Sequence, residues 1–348
     1  MAEKEEEMTA MSMSLCYEWP RVTIAIPTVD RLQYLRGALA SALGQAYPNI
    51  EVIVSNNAST DGTADYLASC TDSRLRVLNQ SRRLDMTSNW NECVRAATGE
   101  FFLLLSDDDL LESAAIQEMV AAYRTSDERQ KNAGIVYCGG HIIDAAGVVR
   151  RTFTHSPSYE SARDLVIGFF NGERDLWLCA ILFRTVDIVP GFSLEYAWAP
   201  DSATWISAVF KRNGAVFVPL ELARYRVHEN ATASLPINVW KAELDQLGQV
   251  ALRCSQRRDA SDPDPMFSKT LETAIRRLII RSLPIRINAT LADKKLKAIS
   301  QYYAFLPTMT NRYGMRFLVA GLASLFLPKK IKTGLKSVML RQQIRSGR

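Results

Sequence analysis

Three consecutive aspartates, Asp107-Asp108-Asp109, close the most apolar run of the chain, Phe101-Phe-Leu-Leu-Leu105. Like charges crowded together raise one another's pKa, and a bound divalent cation removes that penalty. Oxygen-only ligands suit Mg2+ or Mn2+, ions that often bridge a protein carboxylate to substrate phosphates. The plainer alternative is a solvated Asp-rich turn capping the next helix, with Asp109 just ahead of Leu110 and Leu111. The place of the run, directly after a buried strand, favours the metal reading.

Positioning such a run requires a sheet whose strand ends share one edge. Residues 22–28 form a short apolar strand, followed by Leu32, Leu35, Leu39 and Leu43 at helical spacing. Glu51–Val54 and Leu75–Leu78 read as two further strands, with helices expected after Ser59 or Thr60 and over Asn89–Ala97. Near-continuous hydrophobic strands alternating with helices indicate an α/β fold with a parallel sheet covered by helices on both faces. Ligands then sit beyond the carboxyl ends of the strands, where the polar loops after Ile26, Val54 and Leu105 fall. Gly134–Tyr137 looks like another strand, with a hairpin at Asp144–Gly147. Residues 160–250 mix helices with short strands, and the pattern beyond about 265 is helical.

At 348 residues, 47% apolar and 23% charged, the chain allows two domains, or one large domain with an appendage, and excludes a mostly disordered or fibrous protein. We expect a flexible N-terminus over 1–20, a first half-domain over 21–125, a second over 126–240, and a helical, basic C-terminal region over 241–348. Glu3-Lys-Glu-Glu-Glu7 and the lack of an apolar core argue against a signal peptide. Six scattered cysteines without a C-x-x-C pair read as reduced packing thiols. The sequons at Asn57, Asn230 and Asn288 read as chance matches, and Phe317–Leu327 is too short to span a bilayer. The net charge of +5 hides a division: Arg281–Arg348 carries 14 basic residues and one acidic, while residues 1–280 carry −8.

Ile24-Ala-Ile-Pro-Thr28, Glu51–Thr63, Asn89-Trp-Asn91 with Ala97–Glu100, and Leu104–Leu110 stand in the order and spacing of the nucleotide-sugar-binding half of glycosyltransferase family 2. Gly191-Phe192, Asp201 with Trp205, Pro219-Leu220, and Tyr225-Arg-Val-His228 with Ser234 resemble its second half, so the likeness covers about residues 20–235. The resemblance implies a GT-A fold with a mixed, mostly parallel sheet and an inverting, metal-dependent hexosyltransferase that uses a nucleoside-diphosphate sugar. It implies Asp107 as a ribose contact, Asp108 as the leading metal ligand with Asp109 assisting, and Asp201 as the base that deprotonates the acceptor hydroxyl. Asp201 equally reads as a helix N-cap, and Pro200 stands where the family carries Glu. His228, in the likeness to the family's closing loop, would complete the metal site, and Arg226 would meet the diphosphate. Thr28 and Asp30 would line the nucleoside pocket.

One departure concerns the base. The family commonly places an aspartate after the second strand, whereas this chain has Asn56 and Asn57. An amide both donates and accepts, so uracil remains readable; a UDP-sugar is favoured, with dTDP, GDP and CDP open. Trp177, Trp198 and Trp205 would offer sugar-stacking faces or, more plainly, core. His141 and His155 match nothing.

Residues 312–348 hold nine Lys/Arg and no acid around an apolar run, the composition of a cationic amphipathic helix at a membrane surface. A solvated basic face is the alternative, and nucleic acid is not expected beside an acidic body without a nucleic-acid motif. The expected acceptor is a glycan or lipid-linked glycan of bacterial envelope polysaccharide synthesis. The expected location is cytoplasmic, peripheral to the inner face of the plasma membrane. The rivals are a sugar-phosphate nucleotidyltransferase, for which residues 22–40 lack the Gly-rich phosphate loop, and a non-catalytic nucleotide- or glycan-binding member of the fold.

Overall fold

The computed structural model describes residues 19–124, 127–153, 157–196, 199–212, 214–227, 237–258 and 265–291, with 319 and 322. Among these, the strands are β1 (Val22–Thr28), β2 (Ile50–Asn56), β3 (Leu75–Asn79), β4 (Phe101–Leu104), β5 (Leu110–Leu111), β6 (Ile135–Ile143), β7 (Val149–Phe153), β8 (Tyr159–Glu160), β9 (Ile181–Arg184) and β10 (Ala215–Arg226). The helices are α1 (Leu32–Leu43), α2 (Thr63–Ala68), α3 (Met86–Ala96), α4 (Ala115–Tyr123), α5 (Glu128–Lys131), α6 (Ala162–Asn171), α7 (Thr185–Ile188), α8 (Pro200–Lys211), α9 (Ile237–Arg258) and α10 (Pro265–Leu291).

The strands make one sheet in the order β3-β2-β1-β4-β9-β6-β10-β5, with β7 on β6 and β8 on β10. β1 pairs in parallel with β2 and β4, β2 with β3, and β6 with β10. β9 is antiparallel to both β4 and β6, which makes the sheet mixed but mostly parallel at its centre. Every residue of β1 and β2 is buried, as continuous apolar runs in a sheet covered on both faces require. α1 buries Leu35, Ala38, Leu39 and Ala42, the stripe expected from the leucine spacing.

The parallel centre brings the carboxyl ends of β1, β2 and β4 to one edge, with Ser106–Asp109 following β4 beside the end of β1. β10 reaches the same edge. Its register against β6 shifts between Val218 and Ala223, and Ala223-Arg224 then pairs with Leu111-Leu110 of β5. Gly140 of β6 permits this approach, because a Cβ there would stand 2.1 Å from the Ala223 carbonyl oxygen.

Local expectations needed correction in three places. Asp109 caps no helix: the next residues form β5, and α4 starts at Ala115. α2 begins at Thr63 rather than after Ser59 or Thr60, and Asp61 accepts from the Thr63 backbone N–H (3.2 Å) and hydroxyl (2.6 Å). α3 begins three residues early, at Met86, because the Asp85 carboxylate accepts from Ser88 N (2.9 Å). The Asp144–Gly147 turn joins β6 to β7 as a hairpin.

The chain falls into two compact units, Met1–Ala162 with Leu176–Ala231, and Arg163–Asp175 with Thr232–Arg348. The first holds the sheet. The second takes residues 163–175 out of the middle of the expected 126–240 half and joins them to α9 and α10. There Trp240, Leu244 and Leu247 of α9 and Leu271, Ile280 and Leu283 of α10 are buried. Gly248 admits Ile275, whose Cδ1 would lie 2.4 Å from an added Cβ. Among the described residues no helix is long and apolar enough to cross a membrane. The basic stretch 312–348 lies outside the described residues apart from Val319 and Leu322.

Candidate active site

The aspartates after β4 are not a solvated turn. Asp107 and Asp109 are 4% and 1% exposed, and each has a defined partner. Asp107 accepts from the Thr28 hydroxyl at 2.8 Å, so the ends of β1 and β4 are tied side chain to side chain. Arg31, just before α1, places Nη1 3.2 Å from Asp107 Oδ1 and 3.2 Å from Asp108 Oδ2. Asp109 turns inward and accepts from the Arg226 backbone N–H at 2.8 Å. Burial, then the charge of Asp108, holds the Asp109 carboxyl well above the usual range, and the buried Cys179 thiol beside it is raised by burial and by Asp109.

Burial pushes Asp107 up to about 6, against the pull of Arg31 and the Thr28 hydroxyl. Its ordinary value is 3.8, so between about pH 4 and 6 the folded protein holds a proton that the unfolded chain has released. Stability of the metal-free protein therefore falls as pH rises through that window, by on the order of 3 kcal/mol. Asp107→Asn removes the buried charge. In EDTA it is expected to melt above wild type at pH 7.5, with the gain vanishing near pH 4; equal melting temperatures at pH 7.5 would refute the burial argument.

The other sequence-expected residues surround this run. Asp30 sits in a left-handed conformation (φ 51°), accepts from Thr60 N at 2.7 Å and pairs with Arg83; the Thr60 N–H first, and then Arg83, hold its carboxyl below the ordinary range. Asn56 donates to Asn79 Oδ1 (2.9 Å) and accepts from Ser59 N (3.2 Å). Asn57 donates to the Leu84 carbonyl (3.0 Å) and accepts from the Leu84 N–H (2.8 Å), which fixes the loop before α3. Arg226 donates from Nε to the Asp108 carbonyl (2.7 Å) and from Nη1 to the carbonyls of Asp144 (2.9 Å) and Ala145 (3.1 Å). In this structure its guanidinium thus ties the aspartate loop and the β6–β7 turn to the end of β10. His228, His155 and Trp198 lie outside the described residues.

Asp201 stands in the first turn of α8, after Pro200 at its start; Ala199, not Asp201, is the N-cap. The Tyr225 hydroxyl is raised chiefly by burial, then by Asp109, Cys179, Asp108 and Asp201, so Asp201 shares the electrostatic field of the aspartate run at the end of β10. The loop leading into α8 is held by Asn91 of α3. Its amide accepts from Phe192 N (2.7 Å) and donates to Phe192 O (2.9 Å), a two-bond clamp on a buried backbone. Gly191 is required next to it: its φ is +131°, and a Cβ would fall 2.4 Å from Asn91 Oδ1. Trp177 stacks on Tyr225 at 4.1 Å and 18° and packs against the core, and Trp205 is fully buried core, the plainer of the two readings for both.

Among the described residues no three His, Cys, Asp or Glu side chains gather as a metal cluster. The site offers instead the carboxylates of Asp107 and Asp108, bridged by one cationic nitrogen. Two oxygen donors fit Mg2+ or Mn2+, which keep several waters and take one or two carboxylates together with substrate phosphates.

A mixed sheet with an aspartate run at the carboxyl edge of its parallel centre defines the GT-A class of α/β folds. Residues 23–165 match the model described as glycosyl transferase family 2, so the chain is similar to glycosyltransferases of that family. It is 22% identical over 294 residues, 78% of this chain and 90% of the relative, to the GalNAc(5)-diNAcBac-PP-undecaprenol beta-1,3-glucosyltransferase of Campylobacter jejuni. Among solved structures, S. aureus TarS 1–349 in complex with UDP-GlcNAc matches with a TM-score of 0.53 at 15% identity, covering 88% of this chain and 90% of that one. The mannosyltransferase PcManGT of Pyrobaculum calidifontis, in complex with GDP-Man and Mn2+, also scores 0.53, at 18% identity and coverages of 92% and 85%. At these identities the structural likeness speaks for the fold alone.

Proposed function

We propose that this glycosyltransferase is an inverting, metal-dependent hexosyltransferase that moves a sugar from a nucleoside-diphosphate sugar to a glycan or lipid-linked glycan. The observation that carries the reading is the pair Asp107–Asp108 held around one cation at the strand-end edge, with Asp201 in the same field. The reading gives Thr28, Asp30 and Asn56 to the nucleoside side and Arg226 to the diphosphate side. With its two bonds made, the Asn56 amide keeps one hydrogen and one lone pair for a base edge, which suits uracil; Asn57 keeps the loop in place. Asp108 leads the metal set, with Asp107 reaching the ribose as well and His228 assisting, while Asp109, turned inward, holds the Arg226 backbone N–H.

A divalent cation bound there supplies positive charge to the departing diphosphate. The chain's own part is to hold the donor along the edge and to bring the acceptor hydroxyl to Asp201. The hydroxyl oxygen forms a bond to the anomeric carbon on the face opposite the leaving group. The bond from that carbon to the diphosphate oxygen breaks, and the hydroxyl proton passes to the Asp201 carboxylate. Inversion follows from the single displacement.

The relatives support the donor and acceptor classes. The Campylobacter protein is named for an undecaprenol-linked acceptor, TarS holds UDP-GlcNAc, and PcManGT holds GDP-Man with Mn2+. A bacterial envelope glycan on a lipid carrier is the acceptor we favour, met from the cytoplasmic face. The basic stretch 312–348 would rest on anionic lipid. Truncation after Thr310 is expected to abolish flotation with anionic vesicles while donor binding stays intact; unchanged flotation would contradict membrane docking. The reaction itself is tested by supplying nucleotide sugars with lipid-linked glycans and following nucleoside diphosphate release. Release that needs both Mn2+ and acceptor supports the reading, and a chain that binds a nucleotide sugar without releasing its diphosphate would favour the non-catalytic alternative.

A further inference from the structure

Arg31 plays no part in the sequence-derived site, yet its guanidinium lies at the centre of it. It bridges 76 and 77 residues of sequence to reach Asp107 and Asp108, one nitrogen at 3.2 Å from an oxygen of each. The carboxylate side chains are 6% and 12% exposed, and that of Arg31 is 33% exposed, so the cation stands at the mouth and the anions behind it. Capping does not explain the arrangement. The first backbone N–H of α1, on Leu32, is taken by Asp61 Oδ2 at 2.8 Å, and Arg31 makes no side-chain cap.

A single nitrogen between two carboxylates occupies the position that a divalent ion held by the same oxygens would need. Two cations cannot share it without strong repulsion. We propose that Arg31 is a resident counter-cation that competes with the divalent metal for Asp107 and Asp108 and, once displaced, carries its charge to the donor's diphosphate. Its partly exposed side chain is free to swing outward, and a guanidinium grips phosphate oxygens in pairs. Without ligand, Arg31 neutralises the two buried carboxylates. With metal and donor arriving together, the lost ion pair is replaced by a contact to phosphate, so each ligand favours the other's binding. The inference rests on the metal-dependent donor site proposed above.

The test measures Mn2+ binding to nucleotide-free protein by the loss of the free-ion electron paramagnetic resonance signal. UDP and GDP binding at saturating Mn2+ is then measured by calorimetry. Arg31→Gln is expected to bind Mn2+ alone about 3- to 10-fold more tightly than wild type, and its nucleoside diphosphate about 10-fold more weakly. Arg31→Lys should fall between, since it keeps the charge and loses the fork; it carries the same test if the Gln variant does not fold. Mn2+ affinity unchanged or weakened in the variants, with wild type binding both ligands, would overturn the role of Arg31 alone. A wild-type protein that binds neither Mn2+ nor nucleotide would overturn the donor site itself, and this role with it.

Discussion

Asp201→Asn is expected to lower the rate of sugar transfer by about 10²- to 10⁴-fold, the range for loss of a positioned general base. Nucleotide binding in the presence of Mn2+ should stay within about twofold, a change of a few tenths of a kcal/mol. The substitution keeps the shape of the side chain, and α8 starts from Ala199 and Pro200 whether residue 201 is Asp or Asn. What disappears is the carboxylate in the first turn of α8, where negative charge is favoured. Wild-type rates in Asp201→Asn would return the residue to the plainer role of a carboxylate in a helix first turn.

Asp108→Ala carries the second large effect. Metal-dependent binding of the nucleoside diphosphate should weaken by about 100-fold or more, because removal of a ligand takes away both the ion and its bridge to phosphate. The fold should survive. Arg31 retains Asp107, and Asp109 faces Arg226 and Cys179 inside the sheet edge rather than the cation. This geometry separates the three aspartates, which look equivalent in sequence. Asp108 is the one whose loss should affect ligand more than stability, measured by calorimetry for the first and thermal melting for the second.

Much of the frame could be read in the sequence because it is written locally. β1, β2 and β4 are apolar runs that only a covered parallel sheet accommodates, and α1 shows its buried stripe as leucines three and four apart. The resemblance motifs also find their physical sense in the structure. Asn89 meets Ser55 (2.7 Å), and Asn91 clamps Phe192 across 101 residues, so pieces that seem independent in the sequence are two sides of one contact. What stayed hidden depends on partners distant in the chain. Nothing near Arg31 announces that it will reach Asp107, and nothing near Asn57 shows that its amide will bond both Leu84 N and O. The inward turn of Asp109 follows from β5 pairing with β10, a two-residue strand that periodicity cannot detect. The misplaced starts of α2 and α3 have the same source: the bonds of Asp61 to Thr63 and of Asp85 to Ser88 depend on the path of the loop.

Calorimetric titration of the wild-type protein with UDP, GDP, CDP and dTDP, each with Mn2+ and with EDTA, tests the central claim most directly. The account predicts that at least one of them, UDP first, binds with Mn2+ and binds far more weakly in EDTA. At 100 times its dissociation constant it should also add about 2.7 kcal/mol to stability. Binding of no nucleotide in either condition, or equal binding in both, would contradict a metal-assisted nucleotide-sugar site at Asp107 and Asp108.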